Sequence, residues 1–436
     1  MIKKWFGPLE RNSTSFAYET PSGDVPRLMS SSVSAMNWTG VNGLPAQVTT
    51  QYSVAGDGAC VLTAPDGTVY KEYYGTGWQK RLTVLSEVWL GADRQKWTTT
   101  AWTQDNTSVS YETNPRVTET NVYDAGHRRR TTIDYGAYAQ WGLPYLVSEY
   151  AADGATEIRR TFTDYNLSQA YLDRRIIGLV AAVHLTNVSS FQGKITYEYD
   201  DPNRLAALPA PSPGPPATAT QHDTTYNTSL TARGNLTSVS QWDVTDINNT
   251  QKKLTSYTNY FVTGTPASTT DPFPHTSSIS YIDAFSDGVD RHTFAYPTTL
   301  TDADGNSSTV QYNFDFGATT RTQSPAPANQ SQGAIQTMAY NNLGQLERVT
   351  TANNGAYKRF WYGPNYVASY ATVNTLADEL YAVQAFDGLG RVMGTASNHP
   401  GSSGGYSLVS IIYDQMGRVW QAIQPHGDQQ RLASEW

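Results

Sequence analysis

Phe386-Asp387-Gly388-Leu389-Gly390-Arg391-Val392 decides the fold because it is written more than once. Tyr413-Asp414-Gln415-Met416-Gly417-Arg418-Val419 repeats it, and Tyr340-Asn341-Asn342-Leu343-Gly344-Gln345-Leu346 precedes it in a related form. The shared pattern is an aromatic residue, Asp or Asn, two residues, Gly, Arg or Gln, then an aliphatic residue. The aromatic closes an incoming strand, the Asp or Asn side chain folds back onto backbone two residues on, and the Gly supplies the positive φ that lets the chain reverse. The Arg leaves on the outgoing strand, where its guanidinium stacks on a neighbouring ring for roughly 0.5–1 kcal/mol if exposed. Each phrase predicts a β-hairpin, and a small unit that cannot bury its own apolar face predicts stacking of such units.

Looser copies lie upstream. Tyr123-Asp124-Ala125-Gly126-His127-Arg128 has one residue fewer before the Gly, and Tyr197-Glu198-Tyr199-Asp200-Asp201-Pro202-Asn203-Arg204-Leu205 has Asn203 in place of the Gly. Ala64-Pro65-Asp66-Gly67, Asp153-Gly154 and Asp304-Gly305-Asn306 read as further hairpin turns between β-branched and aromatic runs. Few segments hold a helical period; the best candidate is Thr375 to Phe386, where Asp378 follows Thr375 as a weak capping box, and a strand pair fits it almost as well.

This set of phrases resembles the YD-repeat (RHS-repeat) family, and the likeness runs over about residues 50 to 425. Tyr165 to His184, with Leu172-Asp173-Arg174-Arg175-Ile176-Ile177-Gly178-Leu179, and His222 to Asp243, with Arg233-Gly234-Asn235-Leu236-Thr237, look like the degenerate hairpins such proteins carry between regular ones. The resemblance implies an all-β chain of repeated hairpins forming a long spiralling sheet, part of a hollow shell as in RHS toxins, the Tc toxin C component and teneurins. It divides the chain into an N-terminal segment of irregular or degenerate strands (1–49), hairpins (50–207), a Pro-rich loop (208–221), hairpins (222–425) and a tail (426–436). The conserved segment that ends RHS toxins, with its aspartyl self-cleavage site, has no counterpart: Asp201-Pro202 and Asp271-Pro272 stand mid-chain without its Gly-rich context.

Composition agrees. The chain has 436 residues and is rich in Tyr, Thr and Ser, a strand-forming profile. A net charge of −8 argues against a nucleic-acid partner, which needs a basic stripe to displace counterions. The one basic cluster, His127-Arg128-Arg129-Arg130, reads as a solvated outgoing strand, and the lone Cys60 as a small buried hydrophobe. The N-terminal Met1-Ile2-Lys3-Lys4 has no apolar stretch behind it, so no cleaved secretory signal is visible, and Ile176 to Val183 is too short to span a bilayer. With no capping sequence at Glu435-Trp436, this suggests a fragment, a truncated frame, or export without a cleaved signal. Pro209, Pro211, Pro213, Pro215 and Pro216 force an extended excursion, and Pro325 with Pro327 a shorter one.

Motifs for chemistry fall short. Gly401-Ser402-Ser403-Gly404-Gly405 matches a nucleophile elbow in letters but sits in a Gly/Ser loop. Gly388-Leu389-Gly390 with Gly394 is one residue off a dinucleotide fingerprint and lies inside a hairpin turn. Asp302-Ala303-Asp304-Gly305-Asn306 imitates a calcium loop with its Gly misplaced and Asn313 where the bidentate Glu belongs, and the seven His residues are scattered. The expectation is therefore no catalytic, cofactor-binding or metal-binding residue and no cofactor. It points to a non-catalytic scaffold, secreted or at the cell surface, whose partners are the rest of a larger RHS polypeptide or identical copies through sheet edges, with polypeptide as cargo. Two alternatives stand beside it: an extracellular fibre or adhesin, binding glycans through rings such as Trp97, Trp102 and Trp141, and a hydrolase with a carboxylate or Ser site.

Overall fold

The structure, a computed structural model, describes residues 2–6, 9–19, 27–39, 45–55, 58–187, 190–209, 218–247, 249–373, 375, 378–399, 405–414 and 416–426. Over these residues the chain is all-β, as the repeated phrase predicts. There are thirty strands, one four-residue α-helix (Gln169–Leu172) and three short 3-10 turns. Strands pair antiparallel with the next strand in sequence almost throughout, the exception being Leu205–Ala206, which lies parallel to Tyr260–Phe261. Two compact units form: residues 1–76, 80–98 and 338–436 in one, and residues 77–79 and 99–337 in the other.

The phrase folds as the chemistry of its letters requires. Phe386 and Tyr413 end the strands Glu379–Phe386 and Tyr406–Tyr413, and Tyr340 ends Ile335–Tyr340. In the first turn the Asp387 backbone N–H donates to the Arg391 carbonyl and the Gly390 N–H to the Asp387 carbonyl, both at 2.9 Å. The Asp387 carboxylate accepts from the N–H groups of Leu389 and Arg391 at 2.9 and 3.0 Å and from Arg391 Nε at 2.7 Å. Asp414 repeats this with Met416 and Arg418, and Gly417 has φ 79°. Asn341 repeats it with Leu343 and Gln345, its amide nitrogen donating to the Gln345 side chain in place of the ion pair. The same frame appears in two places where the letters differ: Asp302 accepts from the N–H groups of Asp304 and Asn306, and Asp271 from those of Phe273 and His275. Asp271-Pro272 is thus a turn of the common type. The shortened copy at Tyr123 becomes a two-residue reversal with positive φ at both Ala125 and Gly126, so Asp124 pairs directly with His127.

The aromatic letter does more than end a strand. Tyr135, Tyr165, Tyr199, Tyr260, Tyr312, Tyr362 and Tyr413 donate their hydroxyls, at 2.7–3.0 Å, to the carbonyls of Val117, Pro144, Val180, Leu236, Pro297, Leu346 and Val392 respectively. Each acceptor lies at or beside the start of the strand before. At five of these tyrosines, Tyr165, Tyr199, Tyr260, Tyr312 and Tyr413, the strand register shifts by a bulge at the Tyr, which turns the ring off the ladder. The repeating element is therefore a strand pair whose second strand is pinned to the first by a phenol.

The finer expectations fare differently. Of the two readings open for Thr375 to Phe386, the strand holds over Glu379–Phe386, where Tyr381, Val383 and Ala385 alternate onto one face with the period of two that a strand needs. Tyr199 to Leu205 is not a hairpin, since positive φ falls on Asp200 and the strand Phe191–Tyr199 pairs instead with Leu236–Trp242. Residues 165–184 form a degenerate hairpin, as expected: the strands Glu157–Tyr165 and Val180–Thr186 pair antiparallel across the single helical turn Gln169–Leu172 and a loop. Residues 222–235 carry no strand before Leu236. Pro211, Pro213, Pro215, Pro216, Ser402, Ser403 and the tail from 427 onward lie outside the described residues.

Candidate functional surface

The strands from Tyr357–Tyr362 to Tyr406–Tyr413 present two faces of different character. On one, Ala368, Val383, Ala396 and Leu408 stand directly opposite one another across four strands and form a buried apolar row, flanked by Tyr366, Tyr370, Tyr381 and Tyr406. On the other, the intervening residues make two rows, Phe360-Ser369-Ala382-Ser397-Ser407 and Val367-Gln384-Thr395-Val409. With Lys358 these line an open depression of about 410 Å³. It offers hydroxyls, an amide, one ammonium and a few apolar side chains, with no carboxylate among its lining residues.

A second depression, about 520 Å³, lies over the strands Pro45–Val54, Cys60–Thr63 and Thr68–Tyr74. Its floor is the cross-strand rows Tyr52-Leu62-Tyr70 and Val54-Cys60-Glu72. Cys60 is exposed here, contrary to its expected burial. The alternation of a strand explains this: Ala59 is buried, so the next side chain takes the opposite face, which is open.

Several carboxylates are engaged in turns or ion pairs. Both oxygens of Asp302 accept from Asn306, and one accepts the Asp304 N–H as well, which leaves the calcium-like stretch a hairpin turn. Asp153 accepts from the Thr156 hydroxyl and from the N–H groups of Ala155 and Thr156, which hold its pKa down to about 2. Glu379 is likewise held down to about 2 by the Arg359 guanidinium and the Tyr357 hydroxyl. Such depressed values keep these groups ionised and unsuited to proton transfer near neutrality. Among the described residues no group of three or more His, Cys, Asp or Glu side chains is placed to hold a metal ion.

The basic cluster divides by strand alternation. Arg128 and Arg130 share a face, where Arg128 donates to Asn121 and Arg130 to Glu119 and the Gly154 carbonyl, whereas Arg129 points to solvent. The rings singled out from sequence, Trp97, Trp102 and Trp141, are all half-buried. Arg94 lies 4.0 Å over the Trp97 ring, which makes that face a poor sugar platform. The more exposed tryptophans are Trp361 and Trp420, at 63% and 54%.

No family model and no curated protein matches the chain. Solved structures similar to it include TcdB2-TccC3, at 13% identity and a TM-score of 0.35, with 93% of this chain and 21% of that one covered. The Photorhabdus luminescens Tc holotoxin pore follows at 13% identity and a TM-score of 0.34, covering 93% of this chain and 20% of that one. A porin-like protein from Bacteroides uniformis is similar at 12% identity and a TM-score of 0.23, over 56% of this chain and 83% of that one. The chain spans about a fifth of the length of the first two. No helix among the described residues is long and apolar enough to cross a membrane.

Proposed function

We propose that this chain is a non-catalytic structural wall of YD-repeat type, secreted or at the cell surface, which encloses polypeptide cargo or extends a larger protein of the same kind. The observation that carries this reading is the use made of the aspartates. Asp153, Asp271, Asp302, Asp387 and Asp414 each accept two or more hydrogen bonds from their own turn. The side chains that most resemble catalytic acids are thereby committed to reversing the chain. What the sheet leaves free are broad faces with mixed hydroxyl and apolar lining, suited to holding a polypeptide without selecting one conformation.

Negative-stain electron microscopy of the purified chain, together with a hydrolase screen over ester, glycoside, phosphate and peptide substrates, tests it. Curved or hollow particles without turnover are expected. Straight filaments would favour the fibre reading, and hydrolysis that disappears in Ser403→Ala, or on converting one neighbouring carboxylate pair to amides, would replace the scaffold by an enzyme.

A further inference from the structure

The two Asp-x-x-Gly-Arg turns near the C-terminus are also addressed from the other end of the chain. Asn12 Nδ2 donates at 2.7 Å to the carbonyl of Gly388, inside the Asp387 turn and 376 residues away in sequence. Trp38, on the strand Arg27–Thr39, is buried to 5% exposure. Its ring centroid lies 4.6 Å from the guanidinium carbon of Arg391, the turn arginine of the same hairpin. That guanidinium is held by Asp387 at 2.6–2.7 Å and also lies 4.4 Å from the Tyr413 ring. In the next turn Arg418, bound to its own Asp414 at 2.7 Å, stands 3.7 Å from Asp66. All these residues belong to one compact unit, assembled from the first and last parts of the chain.

We infer that these two turns form the docking surface for the chain's own N-terminal strands, so that Asn12, Trp38 and Asp66 act as a clasp joining the two ends of the repeat array within this unit. The turn arginine suits a double duty. Its Nε edge satisfies the turn aspartate, which fixes the guanidinium plane, and its flat faces remain available to aromatic rings. A lysine would meet the aspartate as a point charge and present no such plane. The three contacts also differ in kind, being a neutral hydrogen bond, a cation–π contact and an ion pair, so each can be removed from the N-terminal side with the turn left intact.

Hydrogen–deuterium exchange on the full-length chain reads the clasp. Trp38→Ala is expected to speed exchange at least tenfold in peptides covering 386–392 and 413–419. Peptides covering 357–372, in the same unit but outside the two turns, should be unchanged. Asn12→Ala removes one hydrogen bond and leaves packing intact, so it tests the same point should Trp38→Ala fold poorly; about fivefold faster exchange is expected in 386–392 alone. Asp66→Asn keeps an acceptor for the Thr68 N–H (3.0 Å in the parent) while removing the charge, and should make exchange at 413–419 less sensitive to added salt than in the parent, the Arg418–Asp414 pair accounting for what remains. Acceleration confined to residues 12–54 in all three variants, or equal acceleration throughout the unit, would overturn the clasp.

Discussion

In the C-terminal hairpins one aspartate closes a turn of five residues; in the middle of the chain two aspartates perform the same service over much longer distances. Asp387 gathers N–H groups from residues two and four places ahead of it. Asp200 accepts from the successive N–H groups of Arg233, Gly234 and Asn235 at 2.7–2.9 Å, and from the Tyr171 hydroxyl at 2.9 Å, so it fastens a loop more than thirty residues downstream. Asp283 accepts from the N–H groups of Arg291, Thr293 and Phe294 and from the Thr293 hydroxyl. The chemistry is one, a carboxylate filling a concavity of backbone N–H groups. The difference is redundancy. The short turn keeps its two backbone bonds, Asp387 N–H to the Arg391 carbonyl and Gly390 N–H to the Asp387 carbonyl, without the side chain. The loop at 233–235 keeps one backbone bond, Asp200 N–H to the Asn235 carbonyl, and the Arg233 side chain donates to the carbonyls of Leu230, Val262 and Asn227, but its three successive N–H groups all take Asp200 as their acceptor.

The sharpest way to break the comparison is therefore Asp200→Ala. It leaves three N–H groups and a phenol without their acceptor in a partly buried site, and a loss on the order of 3 kcal/mol is expected. Chemical denaturation measures it. Local loss of protection at 226–236 in hydrogen exchange should accompany it, and a loss under about 1 kcal/mol would mean that the Asp200–Asn235 backbone bond and the Arg233 side chain hold the loop without the carboxylate.

Asp387→Ala should cost less, about 2 kcal/mol, because the backbone bonds of the turn persist while a nearly fully buried carboxylate and its ion pair with Arg391 are lost. Asp302→Ala removes the same turn acceptor at an exposed position and should be milder still. Equal melting shifts for the two would show that burial does not set the value of this turn.

Much of this was legible because a five-residue turn writes its requirements side by side: Asp387, Gly390 and Arg391 fall within one reading window. The tyrosine ends of strands were legible for the same reason. The hydroxyl acceptors were not, since Val392 lies 21 residues before Tyr413 and Pro297 15 before Tyr312, a separation that varies with the loop between. Asp200 was misread as the acid of a local turn because nothing in Tyr199-Asp200-Asp201-Pro202 announces Arg233 to Asn235. Cys60 was misplaced because strand alternation tells which residues share a face but leaves open which face is covered, and that is decided by packing elsewhere.

The phenol pins give a third test. Tyr413→Phe deletes a 2.7 Å bond to the Val392 carbonyl and retains the ring beside Arg391, so about 1 kcal/mol of destabilisation is expected. Phe386 occupies the corresponding strand end naturally, without a hydroxyl, and its backbone N–H instead reaches the Asn365 carbonyl at 2.7 Å. Phe386→Tyr should then bring no stabilisation, and a gain would show that the pin is interchangeable among repeats.

The smallest effects per group come from titration, and the two kinds of group, phenol pins and turn carboxylates, predict opposite edges. Burial raises the pKa of Tyr135, Tyr165, Tyr199, Tyr260, Tyr312, Tyr362 and Tyr413 above the ordinary value of a phenol. A raised folded-state pKa means that the stabilisation is complete below about pH 10 and is lost as pH rises through the folded value. The turn carboxylates run the other way. Asp153, held near 2 first by the Thr156 hydroxyl, and Asp302, lowered first by the Asn306 amide, contribute fully above about pH 4 and lose their contribution as pH falls toward 2. Melting temperature should therefore be flat from about pH 5 to pH 9 and fall at both ends. The pins are half-buried, whereas Asp153 and Asp302 lie at the surface, so salt should soften the acid edge more than the alkaline one. Tyr413→Phe should lower the plateau and make the alkaline fall shallower, since one proton fewer is then released on unfolding. An unchanged alkaline slope in that variant would show that Tyr413 does not set the alkaline edge, whatever its hydrogen bond contributes to the plateau.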